Sequence, residues 1–232
     1  MARKRLTRAQ WRRRRHRKKI AYRIMILLLL VFIVGVVLLL STGGLKKFIS
    51  NNKGIDTITQ TLSNGETIEV KFLTPNEYSR PQKTLRRING VVIHYTANPG
   101  SSAENNRSYF EGLAQSHITH ASSHYIIGLD GEIIQCIPLT EISYASNDRN
   151  KDTVSIECCH PDKTGKFTKE TYESLVSLVA ALCKQFDLNK KDIIRHYDVT
   201  GKLCPLYFVD HEDTWDKFRD DVMDDMMDEE NR

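Results

Sequence analysis

The order of hydrophobic and polar positions divides the chain into a long apolar run, a polar spacer and a region of short strands and helices. The apolar run is IMILLLLVFIVGVVLLL at residues 24–40, and the next charged residue is Lys46. A helix over residues 24–45 would be about 33 Å long at about 1.5 Å per residue, enough to cross the hydrocarbon core of a bilayer. We therefore expect one transmembrane helix at residues 24–45.

A cleaved signal peptide is the alternative interpretation of this run. The apolar region of a signal peptide usually has about 7–15 residues and precedes a small-residue cleavage site. The run here is longer, and residues 41–44 (STGG) resemble such a site only in part. These features favour an uncleaved anchor.

The remaining chain has the pattern of a folded domain. Residues 46–66 are polar and weakly periodic, which is typical of a linker, and the domain is expected at residues 67–228. Short apolar or alternating runs predict strands at residues 67–73, 91–94, 125–127, 133–137 and 154–158, and the apolar pair at residues 193–194 leads to His196. Apolar residues at helical spacing predict helices at residues 103–114, 168–187 and 213–226. Strands interleaved with helices favour an α/β fold, a single domain with a central mixed β-sheet flanked by helices.

The charge distribution indicates how the chain is oriented. Residues 1–23 contain twelve of the 34 Lys and Arg and no acid, so 22 bases remain against 29 acids, a net charge of −7 for the rest. The positive-inside rule then predicts a cytoplasmic basic tail at residues 1–23 and an extracytoplasmic domain after the span. The basic run at residues 12–19 could bind nucleic acid, but beside a membrane span anionic lipid explains it better. We expect no nucleic-acid partner.

Two histidines and a cysteine form a candidate metal site. His94 ends an apolar strand, and the segment from His196 to Cys204 has a lysine two residues before its cysteine. Two imidazoles and a thiolate suit zinc, and three protein ligands leave a fourth position for water. Taken one at a time, each residue could equally be a buried structural side chain.

Four segments of the domain form a recognisable set of motifs: VVIHYTANPG at residues 91–100, SSHYIIGLDGEIIQCIP at 122–138, VSIECCHP at 154–161 and IIRHYDVTGKLCP at 193–205. Together they resemble the type-2 N-acetylmuramoyl-L-alanine amidases, and the resemblance covers about residues 67–220. These zinc enzymes share a fold with the peptidoglycan recognition proteins and the small phage amidase-lysozymes. The resemblance implies a peptidoglycan recognition protein-like domain with Zn²⁺ as cofactor.

The resemblance also implies which residues bind the metal. The two zinc histidines of the family fall on His94 and His196, and the third ligand falls on Cys204. Some relatives use an aspartate as third ligand, for which Asp198 is the alternative. Asp198 lies two residues after His196, whereas the cysteine lies eight residues after it, as in the cysteine-type members.

Glu157 and Lys202 are the implied catalytic residues. Glu157 matches a general base that many bacterial members place on a central strand, and Lys202 matches a lysine that stabilises charge on the scissile carbonyl oxygen. Without that match, Glu157 would be a costly buried charge and Lys202 a solvated loop residue. Ser123 stands where the phage-type and animal enzymes have a tyrosine, so the chain fits the glutamate-dependent branch.

Other histidines are weaker site candidates. His124 matches a family histidine near the substrate groove, so a substrate-binding role and a packing role both remain open. His117 and His120 could line the groove or be solvated, and His160 is expected to be exposed.

The cysteines other than Cys204 carry structural expectations. Cys183 falls on the apolar stripe of its predicted helix, so we expect a buried thiol. Cys158 and Cys159 are adjacent in a predicted strand and cannot face the same side of the sheet.

The resemblance implies cleavage of the amide between N-acetylmuramic acid and the L-alanine of the stem peptide in peptidoglycan. One alternative is a non-catalytic peptidoglycan-binding module of the same fold, which would lack the third ligand. Another is a thiol hydrolase that uses a cysteine with a histidine. The expected location is the cell membrane, with the N-terminus in the cytoplasm and the domain outside.

Overall fold

The computed structural model describes residues 62–230 of the 232-residue chain. The strands are β1 Ile68–Val70, β2 Val91–Tyr95, β3 Tyr125–Ile127, β4 Ile133–Gln135, β5 Val154–Cys158 and β6 Ile193–Arg195. The helices are α1 Ala103–Ser116, α2 Lys169–Phe186, α3 His196–Thr200, α4 Leu206–Asp210 and α5 Glu212–Glu230. Each predicted strand and helix is present, with ends that differ by a few residues. Strand β6 and the short helices α3 and α4 were not predicted.

The six strands form one mixed sheet in the order β1-β4-β3-β5-β2-β6. Only the β3–β4 pair is antiparallel, because a tight turn at residues 128–132 joins these two strands. The other pairs are parallel, and β5, β2 and β6 lie side by side in the same direction. The predicted α/β fold with a central mixed sheet is confirmed.

The sheet separates two hydrophobic cores. On one face, α2 and α5 cover Ile93, Tyr125 and Ile156, and Trp215 and Phe218 of α5 are fully buried there. On the other face, α1 covers a second, smaller core. Strand residues alternate between these faces because successive side chains of a strand point in opposite directions.

The ends of the two longer helices follow from local sequence. Ser102 caps α1, and its hydroxyl oxygen accepts a hydrogen bond from the backbone N–H of Asn105. Thr168 caps α2 in the same way. Such caps satisfy N–H groups that have no partner inside the helix, and each contributes about 1 kcal/mol. At the other end of α2, Asp187 adopts a left-handed conformation that stops the helix.

The folded part of the chain begins earlier than the expected linker boundary at residue 66. Leu62 is 4% exposed and belongs to the larger core. The hydroxyl of Ser63 lies 2.8 Å from the hydroxyl of Ser177 in α2 and donates a hydrogen bond to Asp225 in α5. Residues 62–63 therefore pack against the domain.

The membrane-spanning helix expected at residues 24–45 lies outside the described residues, as do the basic tail and the first part of the linker. Within residues 62–230, no helix is both long and apolar enough to cross a bilayer.

All five cysteines are buried free thiols. Cys158 packs in the larger core and Cys159 in the smaller one, which confirms that they face opposite sides of the sheet. Cys183 is fully buried in α2, as its position on the apolar stripe predicted.

Candidate metal centre

His94 and Glu157 are brought together by strand register. His94 of β2 is paired with Glu157 of β5, and both lie near the carboxyl ends of these parallel strands. Directly paired residues of neighbouring strands have their side chains on the same face of the sheet. The flanking Ile93 and Ile156 point into the opposite core, so the two polar side chains point toward the α1 face.

His196 and Cys204 approach from the next strand, β6. His196 is the first residue of α3 and follows β6 directly, at the same edge of the sheet. Helix α3 ends after one turn because Gly201 has φ +78°, a conformation that glycine adopts without strain. The chain then turns back, and the backbone N–H of Tyr197 donates a hydrogen bond to the carbonyl oxygen of Cys204. The cysteine is thereby placed beside the histidines.

The three side chains form a compact, buried group. One ligand atom from each of His94, His196 and Cys204 lies within 4.8 Å of the others. Nδ1 of His94 is 3.8 Å from Sγ of Cys204, and the two imidazole centroids are 4.7 Å apart. The predicted ligand set is therefore assembled in space, in a group that could hold a metal ion.

The orientation of both imidazoles fits a metal ligand. Nε2 of His94 is 3.0 Å from Oγ of Ser146, and Nε2 of His196 is 3.1 Å from Oδ1 of Asn147. Nδ1 of His196 is buried and has no hydrogen-bond partner among the described residues. An unpaired buried nitrogen costs free energy, which a metal bound at that atom would offset.

Electrostatics favour the metal-binding state of the histidines. Burial lowers the pKa of His94 well below its usual value, and the neighbouring His196 and Lys202 lower it further. Burial also lowers the pKa of His196, again helped by Lys202. Both imidazoles are therefore neutral near pH 7, and neutral imidazole is the form that binds metals.

Asp198, the alternative third ligand, is directed elsewhere. Its carboxylate accepts hydrogen bonds from the backbone N–H of Arg195 and from the guanidinium of that residue, both at 2.8 Å. This ion pair ties α3 to the end of β6. The group of possible metal ligands in the described part of the chain contains Cys204 and not Asp198.

Glu157 and Lys202 line the same cavity of about 320 Å³ as the three candidate ligands. Oε2 of Glu157 is shielded from solvent and has no hydrogen-bond partner among the described residues. Burial raises the pKa of Glu157 to about 8, and the positive charge of Lys202 opposes this shift. A carboxyl group with a pKa near neutrality can exchange protons at physiological pH.

The thiols in this region are not activated as nucleophiles. Burial raises the pKa of Cys204 to about 12, and the negative charge of Glu157 adds to this effect. The pKa of Cys158 is raised well above its usual value, also mainly by burial. A reactive cysteine needs a lowered pKa, so the electrostatics do not favour the thiol-hydrolase alternative.

His124 is placed away from the cavity. It is fully buried, Nδ1 accepts a hydrogen bond from the backbone N–H of Ser155, and Nε2 lies 2.9 Å from the carbonyl oxygen of Glu141. Both ring nitrogens are thus used inside the protein, and burial lowers the pKa of His124 to about 4. Of the two roles that the sequence left open, this placement favours packing over substrate binding.

The other histidine candidates lie in three places: His120 lines the cavity, His117 is exposed on the surface and His160 is buried in the interior. His120 lines the cavity together with Tyr144. His117 caps α1 and stacks on Tyr78 at a centroid distance of 4.3 Å. The expectation that His160 is exposed is wrong, because it is 1% exposed.

Sequence analysis missed two residues that contact the candidate ligands. Ser146 and Asn147 lie between β4 and β5, at the start of a 3-10 helix over Asn147–Lys151. The segment around them is polar and has no periodicity that distinguishes it from a solvated loop. Their role becomes visible only through their contacts with His94 and His196.

Comparison with known families identifies the class of protein. The family described as N-acetylmuramoyl-L-alanine amidase matches residues 84–206, which is more than half of the chain and includes all three candidate ligands. The chain belongs to this family.

Individual relatives agree with the assignment. The chain is 37% identical over 164 residues to the N-acetylmuramoyl-L-alanine amidase CwlL of Bacillus licheniformis, covering 65% of this chain and 45% of the relative. It is 33% identical over 172 residues to BlyA of Bacillus subtilis strain 168, with the same two shares. The chain thus spans about half the length of the curated relatives it matches.

The fold also occurs among solved structures. A mutant endolysin from Bacillus subtilis superimposes with a TM-score of 0.58 at 24% sequence identity, covering 68% of this chain and 99% of the endolysin. At this identity the likeness shows a shared fold.

The position of His124 predicts a specific pH dependence of stability. The pKa of His124 is about 4 in the folded protein and about 6.5 in an unfolded chain. Since the unfolded chain binds the proton first, acidification from pH 7 to pH 4 should cost up to about 3 kcal/mol of unfolding free energy through this group. Urea unfolding at both pH values should show a smaller loss for His124→Gln than for the wild type. Equal losses would contradict the structural role.

Proposed function

We propose that this chain is a zinc-dependent peptidoglycan hydrolase that cleaves the amide between N-acetylmuramic acid and the L-alanine of the stem peptide. The observation that carries the proposal is the convergence of His94, His196 and Cys204 in one cavity with Glu157 and Lys202. Membership of the amidase family and the names of the relatives support the same activity.

Zinc suits the donor set better than other common metals. Magnesium and calcium prefer oxygen ligands, whereas imidazole and thiolate together are typical of zinc. The thiol of Cys204 must lose its proton to bind a metal. Without a cation nearby, the burial of this side chain opposes the loss of the proton. A zinc ion offsets this cost because it stabilises the thiolate directly.

An amide carbonyl is a poor electrophile, so the reaction requires a group that polarises it. It also requires a proton acceptor for the attacking water and a group that stabilises the negative charge formed on the carbonyl oxygen. Zinc held by these residues would polarise the amide carbonyl and lower the pKa of the attacking water to about 7. Glu157 is the proposed general base: it accepts the proton of this water and returns it to the departing amine nitrogen. Its unpartnered Oε2 leaves one oxygen available for this exchange.

Lys202 is proposed to stabilise the negative charge that develops on the carbonyl oxygen. It lines the cavity, and its charge acts on the pKa of both histidines, of Cys204 and of Glu157. A positive charge this close to the reacting group lowers the energy of the oxyanion relative to the neutral amide.

The chain is also proposed to be a membrane protein with an extracytoplasmic domain. The support is the apolar run at residues 24–45 and the twelve bases before it. This arrangement would place the hydrolase on the same side of the membrane as peptidoglycan.

Zinc binding is the first test. The purified chain should bind about one zinc ion, and chelation should lower its melting temperature because the metal binds only the folded state. Cys204→Ser should lose most of this affinity, measured by competition with a chromophoric chelator. Asp198→Asn is the matched control and should retain it. If Cys204→Ser kept stoichiometric zinc and Asp198→Asn lost it, the third ligand would be Asp198 and not Cys204.

Glu157→Gln tests the general base. The amide keeps the shape of the side chain but does not accept a proton, so turnover should fall by about a hundredfold or more. Zinc content and affinity for peptidoglycan should be unchanged, and the acid limb of the pH–rate profile should flatten. Mass spectrometry of digested cell wall gives the rate and the bond that is cut.

Glu173→Gln is the matched control, because Glu173 lies on the exposed surface of α2. Near-normal turnover of Glu157→Gln with intact zinc would remove Glu157 from the mechanism. Retained binding with no cleavage by the wild type would favour the non-catalytic module.

Protease treatment of intact cells tests the anchor. The added protease should remove the domain and leave a membrane-protected N-terminal fragment, detected with an N-terminal tag. A mature N-terminus between residues 41 and 45 would show instead that the apolar run is a cleaved signal peptide.

A further inference from the structure

A single turn contacts both histidines of the candidate metal centre. Adjacent residues Ser146 and Asn147 reach Nε2 of His94 and Nε2 of His196, at 3.0 and 3.1 Å. The two histidines come from different elements, β2 and α3, and are separated by about a hundred residues in sequence. One dipeptide thus sets the orientation of two imidazoles at once.

The turn is itself held firmly. Oδ1 of Asn150 accepts hydrogen bonds from the backbone N–H groups of Ala145 and Ser146, at 3.1 and 2.6 Å. The hydroxyl of Thr153 donates to the carbonyl oxygen of Arg149 at 2.7 Å, which ties the end of the 3-10 helix to β5. Ser146 is 1% exposed. A support of this kind can hold a ring orientation against thermal motion.

The chemistry of the Asn147 contact selects one tautomer of His196. A carbonyl oxygen can only accept a hydrogen bond, so Nε2 must carry the proton. Nδ1 then keeps its lone pair, and this is the buried nitrogen without a partner in the described structure. The hydroxyl of Ser146 can accept a hydrogen bond from Nε2 of His94 in the same way. Nδ1 of His94 then keeps its lone pair, and this nitrogen is the one that faces Sγ of Cys204.

The backbone at Asn147 explains why an asparagine suits this position. Its φ is +52°, in the left-handed region that most side chains avoid but asparagine tolerates. This conformation is maintained at a residue whose side chain contacts His196. The strain and the contact therefore coincide at one residue, a combination common at functional sites.

We propose that Ser146 and Asn147 are positioning residues that fix both zinc-binding imidazoles with Nδ1 facing the metal. The inference rests on the proposed zinc site and adds the residues that prepare it before the metal arrives. Outer contacts of this kind typically change metal affinity by about 10- to 100-fold.

The test compares zinc affinity of full-length variants by chelator competition. Asn147→Gly removes the acceptor but tolerates the positive φ, so zinc should bind about 10- to 100-fold more weakly. Asn147→Asp keeps an acceptor oxygen and adds a negative charge beside His196, so zinc should bind at least as tightly as in the wild type. Ser146→Ala should weaken binding about tenfold through His94.

Arg149→Ala is the control for a general loosening of the turn. It breaks the ion pair between Arg149 and Asp152 in the same 3-10 helix but touches neither histidine. Its zinc affinity should stay near that of the wild type. Thermal unfolding of the metal-free proteins shows whether each variant is folded.

A second readout does not depend on metal. In the metal-free wild type labelled with ¹⁵N-histidine, NMR should show His196 protonated at Nε2, whereas Asn147→Gly should populate the other tautomer as well. Wild-type affinity in Asn147→Gly, equal losses in Asn147→Asp and Asn147→Gly, or an equal loss in Arg149→Ala would overturn the positioning role. A wild type that binds no zinc would instead overturn the zinc site, and this proposal with it.

Discussion

Parallel pairing of β5, β2 and β6 is the constraint on which the site depends. Because the three strands run in the same direction, their carboxyl ends meet at one edge of the sheet, where open α/β sheets commonly bind ligands. The register places Glu157 beside His94, and β6 delivers His196 directly into α3. A shift of one residue in the β2–β5 register would move these side chains to opposite faces and separate the proposed base from the candidate ligand.

The cavity is electrostatically prepared for a cation. Burial keeps the imidazoles of His94 and His196 neutral and the thiol of Cys204 protonated, while it also raises the pKa of Glu157. Burial thus disfavours the charged form of every one of these side chains: the histidines carry less positive charge than in water, and the thiol and the carboxyl group carry less negative charge. A divalent cation stabilises the thiolate and the carboxylate together, so metal binding and the ionisation of these groups are coupled.

Rigid elements and loops contribute different parts of the candidate centre. The sheet supplies His94 and Glu157, whereas Cys204 and Lys202 come from the turn after α3, and Ser146 and Asn147 come from the turn before β5. The ion pair of Asp198 with Arg195 holds α3 against the end of β6. Two candidate ligands thus lie on a strand or directly after one, whereas the third candidate ligand and the polar contacts lie on turns that the scaffold orders.

Much of the fold and of the ligand set followed from the sequence, because the signals are local. Hydrophobic patterning located five of the six strands of the sheet and its three long helices. His94, His196 and Cys204 were recognisable from their motifs. Other features were decided by the tertiary structure alone. Both ring nitrogens of His124 contact Ser155 and Glu141 inside the protein. Asp198 pairs with Arg195, and Ser146 and Asn147 contact the two histidines of the candidate metal centre. The contacts of His124, Ser146 and Asn147 join residues distant in sequence, which local patterns do not encode. The contact of Asp198 with Arg195 is local in sequence, but it forms only because α3 begins directly after β6.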